Sequence, residues 1–231
     1  MDKGDLANLI YMAVLSIAII IYYVRKDREK KRAKTAPKPN INHDGNDFID
    51  HLNQIAYFEF VSSDRLAELK EEIKSTYEHH AVLSSVESDE QPVCHRLFGA
   101  DEEFLFEEGG IIETLKLLKA AFEVRGLRFD IDDHFEEYLE NTGNQWVVIN
   151  QHKYIIYQDL DGSKAEWSDA TEALVALLNE ELKLQDSDEK FYQINGGNDC
   201  QIVLLTLSQF EFLKASKIDT DWKPTLVKTN Q

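Results

Sequence analysis

Residues 146–158 read WVVINQHKYIIYQ, two apolar, β-branched runs joined at Asn150–His152. Such side chains suit a pleated, half-buried surface, and Asn tolerates the backbone of a tight turn. The stretch predicts a β-hairpin. A change of period follows it. WSDATEALVALLNEELKL (167–184) is apolar at helical spacing, with Ser168 or Asp169 placed to cap it. The same order then recurs. KFYQINGGNDCQIVLLT (190–206) predicts a second hairpin whose turn carries Asn195, Gly196, Gly197 and Asn198. TLSQFEFLKAS (206–216) closes as a helix, with Thr206/Gln209 and Ser208/Glu211 both in capping-box spacing. Residues 146–184 and 191–216 thus both read as hairpin then helix, although they share no evident identity. Elements in this order predict an α+β fold on a mainly antiparallel sheet with packed helices.

Upstream, NDFIDHLNQI (46–55) reads as a short helix capped at Asn46, and AYFEFV (56–61) as a strand. SSDRLAELKEEIKSTY (62–77) puts Leu66, Leu69 and Ile73 on one helical face, with the Ser62–Asp64 cluster as cap. AVLSSV (81–86) is read as a strand, ESDEQP (87–92) as a loop and EEFLFE (102–107) as a strand. Gly109-Gly110 opens the helix IIETLKLLKAAFEV (111–124), which stops at Gly126. LRFDI (127–131) is a strand, and DDHFEEYLE (132–140) a short helix with Asp133 and Glu136 in capping-box spacing. The resulting domain spans 46–218, a break between subdomains would fall near 140–145, and 219–231 is a peripheral tail.

The first 45 residues are of another kind. Leu6 to Val24 is 19 residues without a charge or a proline. As a helix it is ~28 Å long, near the hydrocarbon thickness of a bilayer, and it shows no polar stripe. Arg25, Lys26, Arg28, Lys30, Lys31, Arg32 and Lys34 follow at once. A cleaved signal peptide carries its positive charge before the apolar run, whereas here the order is reversed. The reading is a single-pass transmembrane helix over 6–24 with residues 1–5 outside and everything after the basic flank cytoplasmic. Pro37 and Pro39 make the rest of 25–45 a semi-rigid spacer.

The chain holds 25 Lys and Arg against 43 Asp and Glu, for a net charge of −18. Residues 35–231 hold 17 against 39, a net −22. So negative a body repels nucleic-acid phosphate and the anionic leaflet, and it favours basic partners. The cysteines Cys94 and Cys200 are too few and too far apart for a disulfide framework or a Cys/His metal motif, and are expected as two reduced core thiols.

Asp130, Asp132, Asp133 and His134 form the densest set of potential metal ligands, with oxygen donors suited to Mg²⁺ or Mn²⁺. A strand end followed by an N-capped helix explains the same residues without a metal. DLDGSK (159–164) starts like a calcium loop but lacks the later ligands, and Gly109-Gly110 lacks any phosphate-loop context. No GxSxG or HExxH pattern occurs, and no reaction or cofactor is identified. The function expected is therefore a membrane-anchored, non-enzymatic module that binds a protein partner. Alternatives are an immunity or antitoxin inhibitor of a basic toxin, and a metal-dependent hydrolase using Asp130, Asp132 and His134.

Overall fold

The computed structural model describes residues 44–83, 93–139, 142–161 and 168–227. The predicted hairpin is present as β3 (Thr142–Ile149) and β4 (His152–Asp161), paired antiparallel with Ile149 opposite His152. Its two turn residues both lie in the left-handed region, Asn150 at φ 51° and Gln151 at φ 73°. This is the backbone that lets a two-residue loop match the twist of its strands. The second hairpin is β5 (Glu189–Ile194) with β6 (Gln201–Thr206), and a 3-10 turn over Gly197–Asp199 lies in its connection.

The two hairpins seed two separate antiparallel sheets. Leu97–Gly99, β1, pairs with β6 to give the order β1-β6-β5, and Ile131–Leu139, β2, pairs with β3 to give β2-β3-β4. The fold is thus α+β with antiparallel sheets and several helices, as the element order predicts. β2 corrects the expected short helix over 132–140, so Asp133 and Glu136 form no capping box. Asp133, Phe135 and Glu137 alternate on one face opposite Val148, Trp146 and Asn144. Cross-strand pairing to β3 overrides the helical preference of the two glutamates.

Among the helices, α1 (Gly45–Gln54) starts one residue earlier than expected, because Asp44 rather than Asn46 caps it by accepting from the N–H groups of Asn46 and Asp47. Its neighbour α2 (Leu66–His80) buries Leu69, Ile73 and Tyr77, with Leu66 half-buried. No side chain caps it, so the expected role of Ser62–Asp64 is not taken up. The next segment, α3 (Glu102–Phe106), is a helix where a strand was expected. Asp101 caps its first turn, accepting from the N–H groups of Glu103 and Phe104. The chain then turns into α4 (Gly110–Glu123) through Gly109 at φ 84°. Gly110 is needed sterically, since a Cβ there would sit 1.9 Å from the Phe104 carbonyl oxygen.

Helix α5 (Ser168–Leu184) follows β4, and α6 (Leu207–Ala215) follows β6 directly. The Thr206/Gln209 capping box forms as the spacing predicts. AYFEFV is not a strand. Residues 55–60 make turns, Ala56 adopts φ 55°, and Tyr57 and Phe58 are buried. The tail is not wholly peripheral. Thr225 exchanges two backbone hydrogen bonds with Gln193 on β5, at 2.8 and 3.0 Å, and Trp222 is half-buried.

β6 explains the core. Its run Ile202-Val203-Leu204-Leu205 is buried throughout, as in a strand covered on both faces. Ile202 and Leu204 join one cluster, with Phe191 of β5 and the inward faces of α4 and α5. Val203 and Leu205 join a second, with Tyr192, Ile194 and residues of α1, α2 and α6. Val147, Ile149 and Ile156 of the other sheet also belong to the first cluster. The β1-β6-β5 sheet is therefore clad on both faces, and β2-β3-β4 buries only its inner one. The described residues, 44 to 227, belong to one compact unit.

The strand expected over 81–86 begins with Ala81 as a left-handed helix cap, and 84–92 lie outside the described residues. So do the apolar run 6–24, the basic residues 25–34 and the second half of DLDGSK, 162–164. Among the described residues no helix is long and apolar enough to cross a membrane.

Candidate functional site

The acidic group flagged in the sequence turns out to hold the β3–β4 turn. Asn150 donates its backbone N–H to the Asp130 carbonyl at 2.9 Å, and Asp130 returns its own N–H to the Asn150 side-chain oxygen at 3.0 Å. The Asp132 carboxylate accepts the Gln151 N–H at 2.6 Å. Arg128 lies 2.7 Å from the Asp130 carboxylate, and their hydrogen bond holds that carboxyl below its ordinary value. His134 is exposed, and its backbone N–H goes to Asp133. Each of these carboxylates thus satisfies a nearby N–H or cation, and His134 contributes no side-chain bond that the structure records. Among the described residues no three His, Cys, Asp or Glu side chains are arranged to hold a metal.

Behind the turn lies a group that sequence reading missed. Glu181 of α5 is only 1% exposed, and accepts from Asn150 at 2.6 Å, Tyr154 at 2.5 Å and His152 Nδ1 at 3.1 Å. Burial, and then the adjacent Glu181 carboxylate, push the Tyr154 phenol above its ordinary value. Three donors onto one buried carboxylate satisfy its charge and tie the hairpin to α5. The signal was a polar Glu at a core position of a helix, Glu181 between Leu178 and Leu182.

A second buried network joins the sheets' surroundings. Glu189 lies between Arg96, at 2.5 Å, and Arg125, and all three side chains are under 10% exposed. Arg96 also donates to the carbonyls of Tyr57 at 2.6 Å and Leu204 at 3.0 Å. Within AYFEFV the Tyr57 carbonyl goes to this distant arginine, while the Ala56 and Phe58 carbonyls accept the N–H groups of Glu59 and Val61 at 3.2 and 3.1 Å, closing turns instead of a ladder. Cys94 and Cys200 are both buried and form no disulfide, and burial pushes the Cys200 thiol up to about 11. The N–H of Gly109 is likewise taken, by Glu136 at 2.9 Å.

What stays open is the outer face of β2-β3-β4. Phe135, Trp146 and Ile155 stand opposite one another across the three strands. Phe135 and Trp146 stack with centroids 5.8 Å apart, and Lys153 lies 3.9 Å over the Trp146 ring. Phe135 is 40% and Ile155 53% exposed. An aromatic and aliphatic row on a sheet face is costly to leave in water. Asp133 and Glu137 flank Phe135 on the same face. Comparison with protein-family models, curated proteins and solved structures found no match for this chain.

Proposed function

We propose that this chain is a membrane-anchored, non-enzymatic module whose cytoplasmic body docks a protein partner on the outer face of β2-β3-β4. The observation that carries the reading is the row Phe135–Trp146–Ile155, in which Phe135 and Ile155 are exposed and Trp146 is half-buried between them. Covering the half of each such side chain that is left in water is worth ~1 kcal/mol, and aromatic anchors dominate protein interfaces. The acidic surface around the row selects a basic partner. The apolar length of 6–24 and the basic flank at 25–34 support the anchor and its orientation.

A photo-cross-linker replacing Ile155 in the full chain, in its own membrane, should yield one dominant adduct. Phe135→Ser with Trp146→Ser should abolish it, whereas Leu117→Ser on the exposed side of α4 with Val124→Ser at its C-cap should leave it intact. An adduct indifferent to Phe135 and Trp146 would overturn the docking site. A reporter joined after Gln231 should work only in the cytoplasmic form, and an externally active one would reverse the topology.

A further inference from the structure

We propose that the docking segment of the partner is an extended strand that adds to the free edge of β2 and carries a basic–x–apolar–x–basic pattern. The inference rests on the docking face just described and names what occupies it. Among the described residues β2 pairs with β3 alone, so its other side presents backbone N–H and C=O groups without a strand partner. Its nine residues, IDDHFEEYL, include four carboxylates and no Lys or Arg. Charge of one sign along an edge discourages unselected strands, and it turns that edge into a filter for strands of the opposite sign.

The two faces of β2 are not equivalent. On the inner face Glu136 is already engaged, by the Gly109 N–H at 2.9 Å and the Gln145 amide at 3.2 Å. On the outer face Asp133, Phe135 and Glu137 are exposed at every second residue, and Asp133 accepts only the N–H of its neighbour His134 in a recorded bond. Lys153, the basic residue of that face among those described, is drawn over Trp146 and sits two strands from the edge. A strand added to β2 would lie ~4.8 Å away, and its side chains directly opposite would come within ~5.5 Å. Residues of the partner facing Asp133, Phe135 and Glu137 must therefore alternate as cation, apolar group and cation. The apolar group extends the Phe135–Trp146–Ile155 row by a fourth strand, and main-chain hydrogen bonds supply affinity, as in other strand additions.

The test uses the full chain in lipid nanodiscs and a nine-residue peptide with Lys-x-Ile-x-Lys at its centre and Thr elsewhere. Saturable binding is expected, weakening as salt is raised. N-methylation of the peptide amides that face β2 should abolish it, and methylation of the opposite set should not. Asp133→Lys with Glu137→Lys should lower affinity about tenfold, two edge pairs turned from attraction to repulsion. The same variant should gain binding to the Glu-x-Ile-x-Glu peptide, a gain that an unfolded variant could not give. No binding by the native chain, or binding indifferent to the charge reversal, overturns strand addition. If the Ile155 adduct still depends on Phe135 and Trp146 while the peptide fails, only the strand and its pattern are wrong. If that dependence is absent, the docking face itself falls.

Discussion

His95 is a side chain held against its chemistry. It adopts φ 50°, its Nδ1 is buried without a hydrogen bond, and burial first, then the Arg125 guanidinium, hold its imidazole below the ordinary histidine value. Unfolding restores the ordinary value of ~6.5, so below it the unfolded chain binds more protons than the folded one. Stability should therefore fall as pH drops from about 6.5 through the lower folded value. Urea titrations across that range should show the loss, and His95→Asn, which tolerates the left-handed backbone, should remove that component. Glu189 gives a sharper case. Its loss leaves the Arg96 and Arg125 guanidinium groups buried against one another, so Glu189→Leu should cost ~3–5 kcal/mol in the same titrations.

At the level of elements, the β3–β4 turn concentrates the most bonds in the fewest residues. Asn150 alone bonds Asp130, Arg128 and Glu181. Asn150→Ala should cost ~2–3 kcal/mol through lost bonds and a strained backbone. Gln151 bonds Asp132 only through its backbone N–H. At φ 73°, Gln151→Gly should stabilise the hairpin by up to ~1 kcal/mol, and thermal melts of both variants would check the opposite signs.

Both hairpins, α4, α5 and α6 were legible because their signals are local: alternation, turn residues and caps. β2 and α3 were not. DDHFEEYLE has good helix formers and becomes a strand only because β3 offers Trp146 and Val148 to pair with. EEFLFE sets two Phe, which favour strands, among three Glu and a Leu, which favour helices, and Asp101 decides it by capping the segment as a helix. The row Phe135–Trp146–Ile155 was hidden for the same reason, since Phe135 was assigned to a helix and could not be set beside Trp146. Glu181 and Arg96 drew no reading from the sequence, because the partners that make them core residues lie 27 to 108 residues away.

For the whole molecule, the deciding asymmetry is between one sheet clad on both faces and another clad on one. Leu204 is fully buried on the central strand of the first sheet, and Leu204→Ala should cost ~2–5 kcal/mol as transfer and cavity terms add. Ile155, half-exposed on the second, touches no such core, and Ile155→Ser should change stability by no more than ~0.5 kcal/mol. Equilibrium denaturation should separate the two by several kilocalories. A large loss at Ile155 would mean that its row serves the fold. A negligible one leaves Ile155 without a structural reason to be apolar, which is what the proposed docking face requires of it.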